Sequence, residues 1–144
     1  MISIHTRTTL LLAAAGFLAA SAPAFAEMIS YKADLNAASE VPPTTTKATG
    51  AVTAAYDTAS KKLTWKGSYT GLSGDATGAH FHAAEAGKNG DVAVAITPDK
   101  SHFEGSATLT DAQAADLAAG KWYVNIHTKA NPDGEIRGQV GKAK

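Results

Sequence analysis

Between residues 28 and 140 the chain is divided into short stretches in which apolar and polar residues alternate. Ala48–Asp57 (ATGAVTAAYD) and Lys62–Tyr69 (KLTWKGSY) follow the period of two that half-buried strands require. Met28–Leu35 (MISYKADL) opens the series, and Gly78–Ala84, Asp91–Thr97, Phe103–Leu109, Trp122–His127 and Glu135–Val140 continue it. Turn residues punctuate these runs. Pro42 and Pro43 deny donors to a strand ladder and suit a loop or edge. Asp57–Lys61 has hairpin length, and Asn89-Gly90 favours positive φ and a tight turn before Asp91. One segment breaks the alternation. Ala-rich Asp111–Ala119 is a predicted helix, with Thr110 and Gln113 spaced as a capping box and Gly120 where the helix would stop. About eight short strands at roughly 8–12-residue spacing predict an all-β, antiparallel sandwich or barrel with Greek-key connections and one short helix. The small residues that dominate the strands predict a thin core rich in Ala and Val.

The first 26 residues do not belong to that pattern. Arg7 supplies a positive start, Leu10–Ala20 is a continuous apolar run, and Ala24-Phe25-Ala26 has the small-x-small form of a cleavage site. The apolar run is shorter than the ~20 residues that span a bilayer, so residues 1–26 read as a signal peptide and not an anchor. Cleavage after Ala26 would leave residues 27–144 as one β-domain, exported to the periplasm or secreted, with no membrane anchor. That domain carries twelve basic and thirteen acidic residues. A net charge of −1 gives no electrostatic drive toward nucleic acid. The absence of cysteine excludes disulfides, thiolate metal sites, a Cys nucleophile and a Cys-linked lipid anchor, and two Met make a Met-rich metal carrier untenable.

Histidine is the remaining strong metal-ligand type. His80 and His82 in Ala79-His80-Phe81-His82 are two apart on a predicted strand, so both rings share one face while Phe81 points the other way. His127, in Tyr123-Val124-Asn125-Ile126-His127-Thr128, is on another strand. If the two strands are neighbours, three imidazoles converge, a set suited to copper or zinc with an open fourth position. The alternative is a pair of hydrogen-bonded or solvated histidines with no ligand. His102 reads as a surface residue, and Glu85 as a solvated loop charge, with a carboxylate ligand or a carboxylate behind a ligand as the alternatives. Gly71-Leu72-Ser73-Gly74-Asp75 approaches a nucleophile elbow, but Asp75 replaces the second glycine and the β context is wrong, so it reads as a turn. Glu135 and Arg137 share a face and read as a surface ion pair of little energetic weight. Trp65, Trp122 and Tyr123 read as core or rim. No pair of carboxylates is spaced for acid–base catalysis.

Several motifs in order resemble one family. Ala37–Pro43 (AASEVPP), Thr49-Gly50, Gly71–Gly74, His80-Phe81-His82 with Gly87 and Asn89-Gly90, Tyr123–Thr128 and Gly134–Gln139 (GEIRGQ) are similar to the CHRD domain, named after chordin. The resemblance implies a secreted β-domain with an immunoglobulin-like, superoxide-dismutase-like barrel. It implies a protein partner as one role, since such domains occur in an extracellular antagonist of growth factors. His80-Phe81-His82 also resembles the His-x-His copper pair of copper/zinc superoxide dismutases, with His127 standing for a third ligand. No bridging histidine, zinc-loop cluster or disulfide accompanies them, which speaks against dismutation and leaves a mononuclear site. The sequence thus supports copper ahead of zinc on His80, His82 and His127. The alternative is a non-catalytic protein-binding module in the envelope or outside the cell.

Overall fold

Alternation along the strands becomes the inside and outside of one curved sheet. The structure, a computed structural model, describes residues 25–144. The predicted signal peptide lies outside these residues except for Phe25 and Ala26. Nine strands and one α-helix follow in order, with a single 3-10 turn at Ala37–Ser39 after the first strand: β1 Met28–Asn36, β2 Thr49–Asp57, β3 Lys62–Thr70, β4 Ala76–Ala83, β5 Asp91–Ile96, β6 His102–Thr108, α1 Asp111–Ala118, β7 Trp122–Thr128, β8 Ile136–Gln139 and β9 Gly141–Lys142. The sheet runs β5-β4-β7-β8-β1-β2-β3-β6, with β9 added to β1, and its pairings are antiparallel. The two end strands, β5 and β6, approach each other and nearly close a barrel. The β3–β4 and β6–α1–β7 connections cross between its halves, the Greek-key arrangement expected. Only the two-residue β9, too short to show alternation, has no counterpart in the sequence pattern.

The core differs from the one expected. It is strongly aromatic, with Tyr31, Trp65, Phe81, Phe103 and Trp122 buried beside Leu35, Leu63 and Ile126. The small residues are what admit the rings. In the β3–β6 register Gly67 faces Phe103 and Gly105 faces Trp65. A Cβ on Gly67 would overlap the Phe103 ring, and one on Gly105 would lie 2.6 Å from Trp65 Cζ2. Phe81 then meets Trp65 edge-on at 5.3 Å between centroids and Trp122 at 5.6 Å, joining the two halves of the barrel. Each such buried ring contributes about 2–3 kcal/mol of hydrophobic stabilisation.

Helix α1 begins as its sequence predicts. Thr110 Oγ1 accepts from Gln113 N–H and Gln113 Oε1 accepts from Thr110 N–H, satisfying two donors that the first helical turn leaves free. Gln113 Nε2 also donates to Ala93 O, tying the helix to β5, and Leu117 enters the core. The β4–β5 turn differs from the prediction. Its left-handed residue is Gly87 (φ 77°), whereas neither Asn89 nor Gly90 has positive φ. Asn89 is committed elsewhere: its Nδ2 donates to Val41 O at 2.8 Å and its Oδ1 accepts from Arg137 Nη1 at 3.0 Å. These long-range bonds override the local preference of the Asn-Gly pair.

β7 is buried on both faces. Val124 and Ile126 point into the barrel, while Tyr123, Asn125 and Arg137 of β8 are buried on the outward face, beneath loop residues such as Glu40 and Lys88. The barrel therefore carries a second, polar layer outside its apolar core.

Candidate metal centre

The register of β4, β7 and β8 composes the outward face row by row. His82 is opposite Tyr123, which is opposite Gln139; His80 is opposite Asn125, which is opposite Arg137; Gly78 is opposite His127. All three nominated histidines thus share one face, and Phe81 points inward as the period of two requires. The donor nitrogens of His80, His82 and His127 lie within 4.8 Å of one another. His80 Nδ1 is 3.0 Å from His127 Nε2. Two nitrogens ~2.0–2.1 Å from one ion and 3.0 Å apart subtend roughly 90–100° at it, an ordinary coordination angle. A tetrahedral angle sets such nitrogens about 3.3 Å apart, so in a metal-bound form the widest pair must close by more than about 1 Å through side-chain rotation.

Backbone carbonyls settle which nitrogens are free. His82 Nδ1 donates to Gly90 O at 2.8 Å, and His127 Nδ1 donates to Pro132 O at 2.8 Å. A carbonyl can only accept, so both neutral rings carry the proton on Nδ1 and an unprotonated Nε2. His80 Nδ1–H then donates to His127 Nε2. His82 Nε2 is buried and has no hydrogen-bond partner among the described residues. An unpartnered buried lone pair is costly unless something binds it, and a metal ion fits that description. Burial lowers the affinity of His80 for a proton, and the neighbouring His127 and His82 add to this. Burial also lowers that of His82, against the opposing bond to Gly90. Both rings therefore favour the neutral, ligating form.

The surrounding residues are those that sequence reasoning missed or misjudged. Tyr123 stacks flat on His82, with 4.8 Å between centroids and 3° between planes, and the Arg137 guanidinium lies 3.4 Å over its other face. Arg137 also donates to Lys88 O and Asn89 Oδ1. Glu135 is fully buried and accepts from Ser73 N–H, Ser73 Oγ, Thr128 Oγ1 and Asn131 Nδ2. The expected exposed Glu135–Arg137 pair is therefore corrected: both are buried, and each binds its own partners, because distant loops cover this face. Ser73 serves that cluster from its turn. His102 and Glu85 are exposed, Glu85 paired with Lys88 and His102 beside Asp99, and neither joins the histidines. Glu40, 4% exposed, had no signal beyond its place before Val41-Pro42-Pro43. Burial pushes its carboxyl up to about 7, against the pull of Arg137 and of the nearby Val41 N–H and Asn125 amide. Asn125 was visible only as the position two before His127.

No curated protein and no solved structure matches the chain significantly. No described helix is long and apolar enough to cross a membrane. Among known protein families, the CHRD domain matches residues 31–140, a span reaching from the first core strand to just past the end of β8 and enclosing all three histidines. The chain belongs to the CHRD domain family.

Proposed function

We propose that this CHRD β-domain is exported and binds one metal ion through His80, His82 and His127, copper ahead of zinc. The observation that carries the reading is the pair of carbonyl anchors, Gly90 O and Pro132 O, which leave Nε2 of His82 and of His127 unprotonated beside His80 Nδ1. An all-imidazole donor set on neighbouring strands suits copper and zinc and disfavours the hard, oxygen-seeking ions. Sequestration or handling of the ion fits better than turnover, since no acid–base pair among the described residues accompanies the histidines. Binding weakens as pH falls, because each ring must be neutral to ligate.

Residues 27–144, produced without a histidine tag and desalted after exposure to Cu²⁺, should retain about one ion per chain and unfold at higher temperature than the metal-free protein. His80→Ala/His82→Ala should lose both effects. Absence of retained metal together with an unchanged unfolding temperature overturns the reading.

A second reading, a protein-binding module with structural histidines, is favoured by an open hollow of about 500 Å³ on the other half of the barrel. It is lined by Lys32, Thr53, Ala55, Thr64, Lys66 and Glu104, far from the histidines in the sheet order. Its shallow, mixed lining offers no specific chemistry, so we place the histidine face first. Capture of one envelope protein that survives both chelation and loss of the histidines would reverse that order.

A further inference from the structure

Three buried polar atoms on this face have no partner among the described residues: His82 Nε2, Asn125 Oδ1 and Glu40 Oε1. Asn125, opposite His80 in the β4–β7 register, lies beside both the His82 ring and the Glu40 carboxyl, without a hydrogen bond formed to either. Gly134, at φ 129°, closes over the pair; a Cβ there would overlap Glu40 Oε1 and lie 2.7 Å from Asn125 Nδ2. The one bond that orients the amide, Nδ2 to Asp133 O, is long at 3.4 Å. The amide is therefore weakly held at the junction of an imidazole and a carboxyl.

The donor and acceptor inventory allows two arrangements. His82 Nε2 is an acceptor, because Nδ1–H is committed to Gly90 O. With Glu40 neutral, its O–H donates to Asn125 Oδ1 and Asn125 Nδ2–H donates to His82 Nε2. One proton then satisfies all three atoms and covers the His82 lone pair. With Glu40 ionised, the carboxylate takes Nδ2–H, and Asn125 Oδ1 turns toward His82 Nε2. Two acceptors then face each other, an arrangement relieved by a cation at that nitrogen.

We propose that Glu40 and Asn125 are positioning residues of the histidine centre: the Glu40 carboxyl decides which end of the Asn125 amide faces His82 Nε2, and so whether that nitrogen is covered or open to a metal ion. This rests on the metal reading above. The charged group acting on Glu40 is Arg137 of β8, whose own donors are committed to Lys88 O and Asn89; Asp133 lines the same small hollow from the loop before β8. His82 is faced by His80, His127 and Arg137. Burial places the change of Glu40 in the neutral range.

The test is Cu²⁺ titration of the wild type, Glu40→Gln, Asn125→Leu and the double variant from pH 5.5 to 8.5. Each protein's thermal unfolding and the His82 imidazole ¹⁵N signals of the metal-free form are recorded alongside. The side-chain amide introduced by Glu40→Gln would donate as the neutral acid does. That variant should therefore bind about five- to tenfold more weakly at pH 8, the equivalent of one hydrogen bond. Its affinity should also rise less steeply with pH. In the Asn125→Leu background Glu40→Gln should change nothing. The His82 Nε2 signal should move with pH near neutrality in the wild type beyond any movement in Glu40→Gln. Parallel affinity profiles and an Nε2 signal indifferent to Glu40 overturn the proposal and leave the metal reading intact. If no protein binds Cu²⁺, the metal reading falls and the Nε2 signal alone decides the positioning role. If the variants unfold, the wild-type signal decides: no movement near neutrality overturns the role.

Discussion

Glu135 shows how far a residue's weight can differ from its appearance in the sequence. Its carboxylate draws the Gly71–Gly74 turn, β7 and the loop before β8 onto one point, with Ser73 Oγ at 2.6 Å and Thr128 Oγ1 at 2.7 Å. Burial alone would raise its pKa, but the bonds from Ser73, Thr128 and Asn131 outweigh it and hold the group below the usual carboxylate range. A carboxyl depressed on folding adds stability above its unfolded pKa, and that stability is lost as pH falls through the folded value. His80 and His82, also depressed, act in the same sense: the folded state resists their protonation, so stability declines as pH drops below about 6.5. Glu40, raised, acts in the opposite sense, and its share declines as pH rises from the usual carboxylate range to about 7. Glu135→Gln should destabilise the metal-free protein by about 2–3 kcal/mol at pH 7, with the deficit shrinking toward pH 4, measured by urea unfolding. A deficit that does not change with pH would contradict this account. The His80–His82 pair was legible because its signal is local, two residues apart on one strand, and His127 was legible only as a histidine on another strand. The burial of Glu135, Arg137 and Glu40 was not, because the loops that cover them come from far away in the chain.

At the scale of elements the sequence was most readable where one residue type has one physical use. The strands from β1 to β7 begin and end within two residues of the alternating runs, and Thr110 and Gln113 cap α1 as their spacing requires. The Ala/Val-rich core was misread because composition does not reveal that Gly67 and Gly105 make room for rings across the β3–β6 pair. Gly105→Ala should therefore destabilise by about 1–3 kcal/mol, although alanine favours a strand no less than glycine does. Chemical denaturation measures the loss, and near-UV circular dichroism should report a displaced Trp65. An unaltered Trp65 environment with no loss of stability would mean that the ring has room to spare.

For the whole molecule, alternation and spacing were enough to give an all-β Greek-key architecture, but not the strand order. The adjacency of β4 and β7, on which the histidine cluster depends, joins residues 39 to 52 positions apart and leaves no mark on either strand's own pattern. The division into an apolar interior and a polar outer layer makes a global prediction. His80→Gln/His82→Gln/His127→Gln should remain folded, with the aromatic near-UV signal of the native barrel, while losing retained Cu²⁺. Collapse of the fold would show that the imidazoles are structural. If the triple variant folds, the two layers answer to different selective pressures. The aromatic interior must be kept for the chain to exist as a barrel at all. The outward face can change its histidines, or lose them, one strand position at a time, so a relative can share the barrel without sharing the residues on its surface.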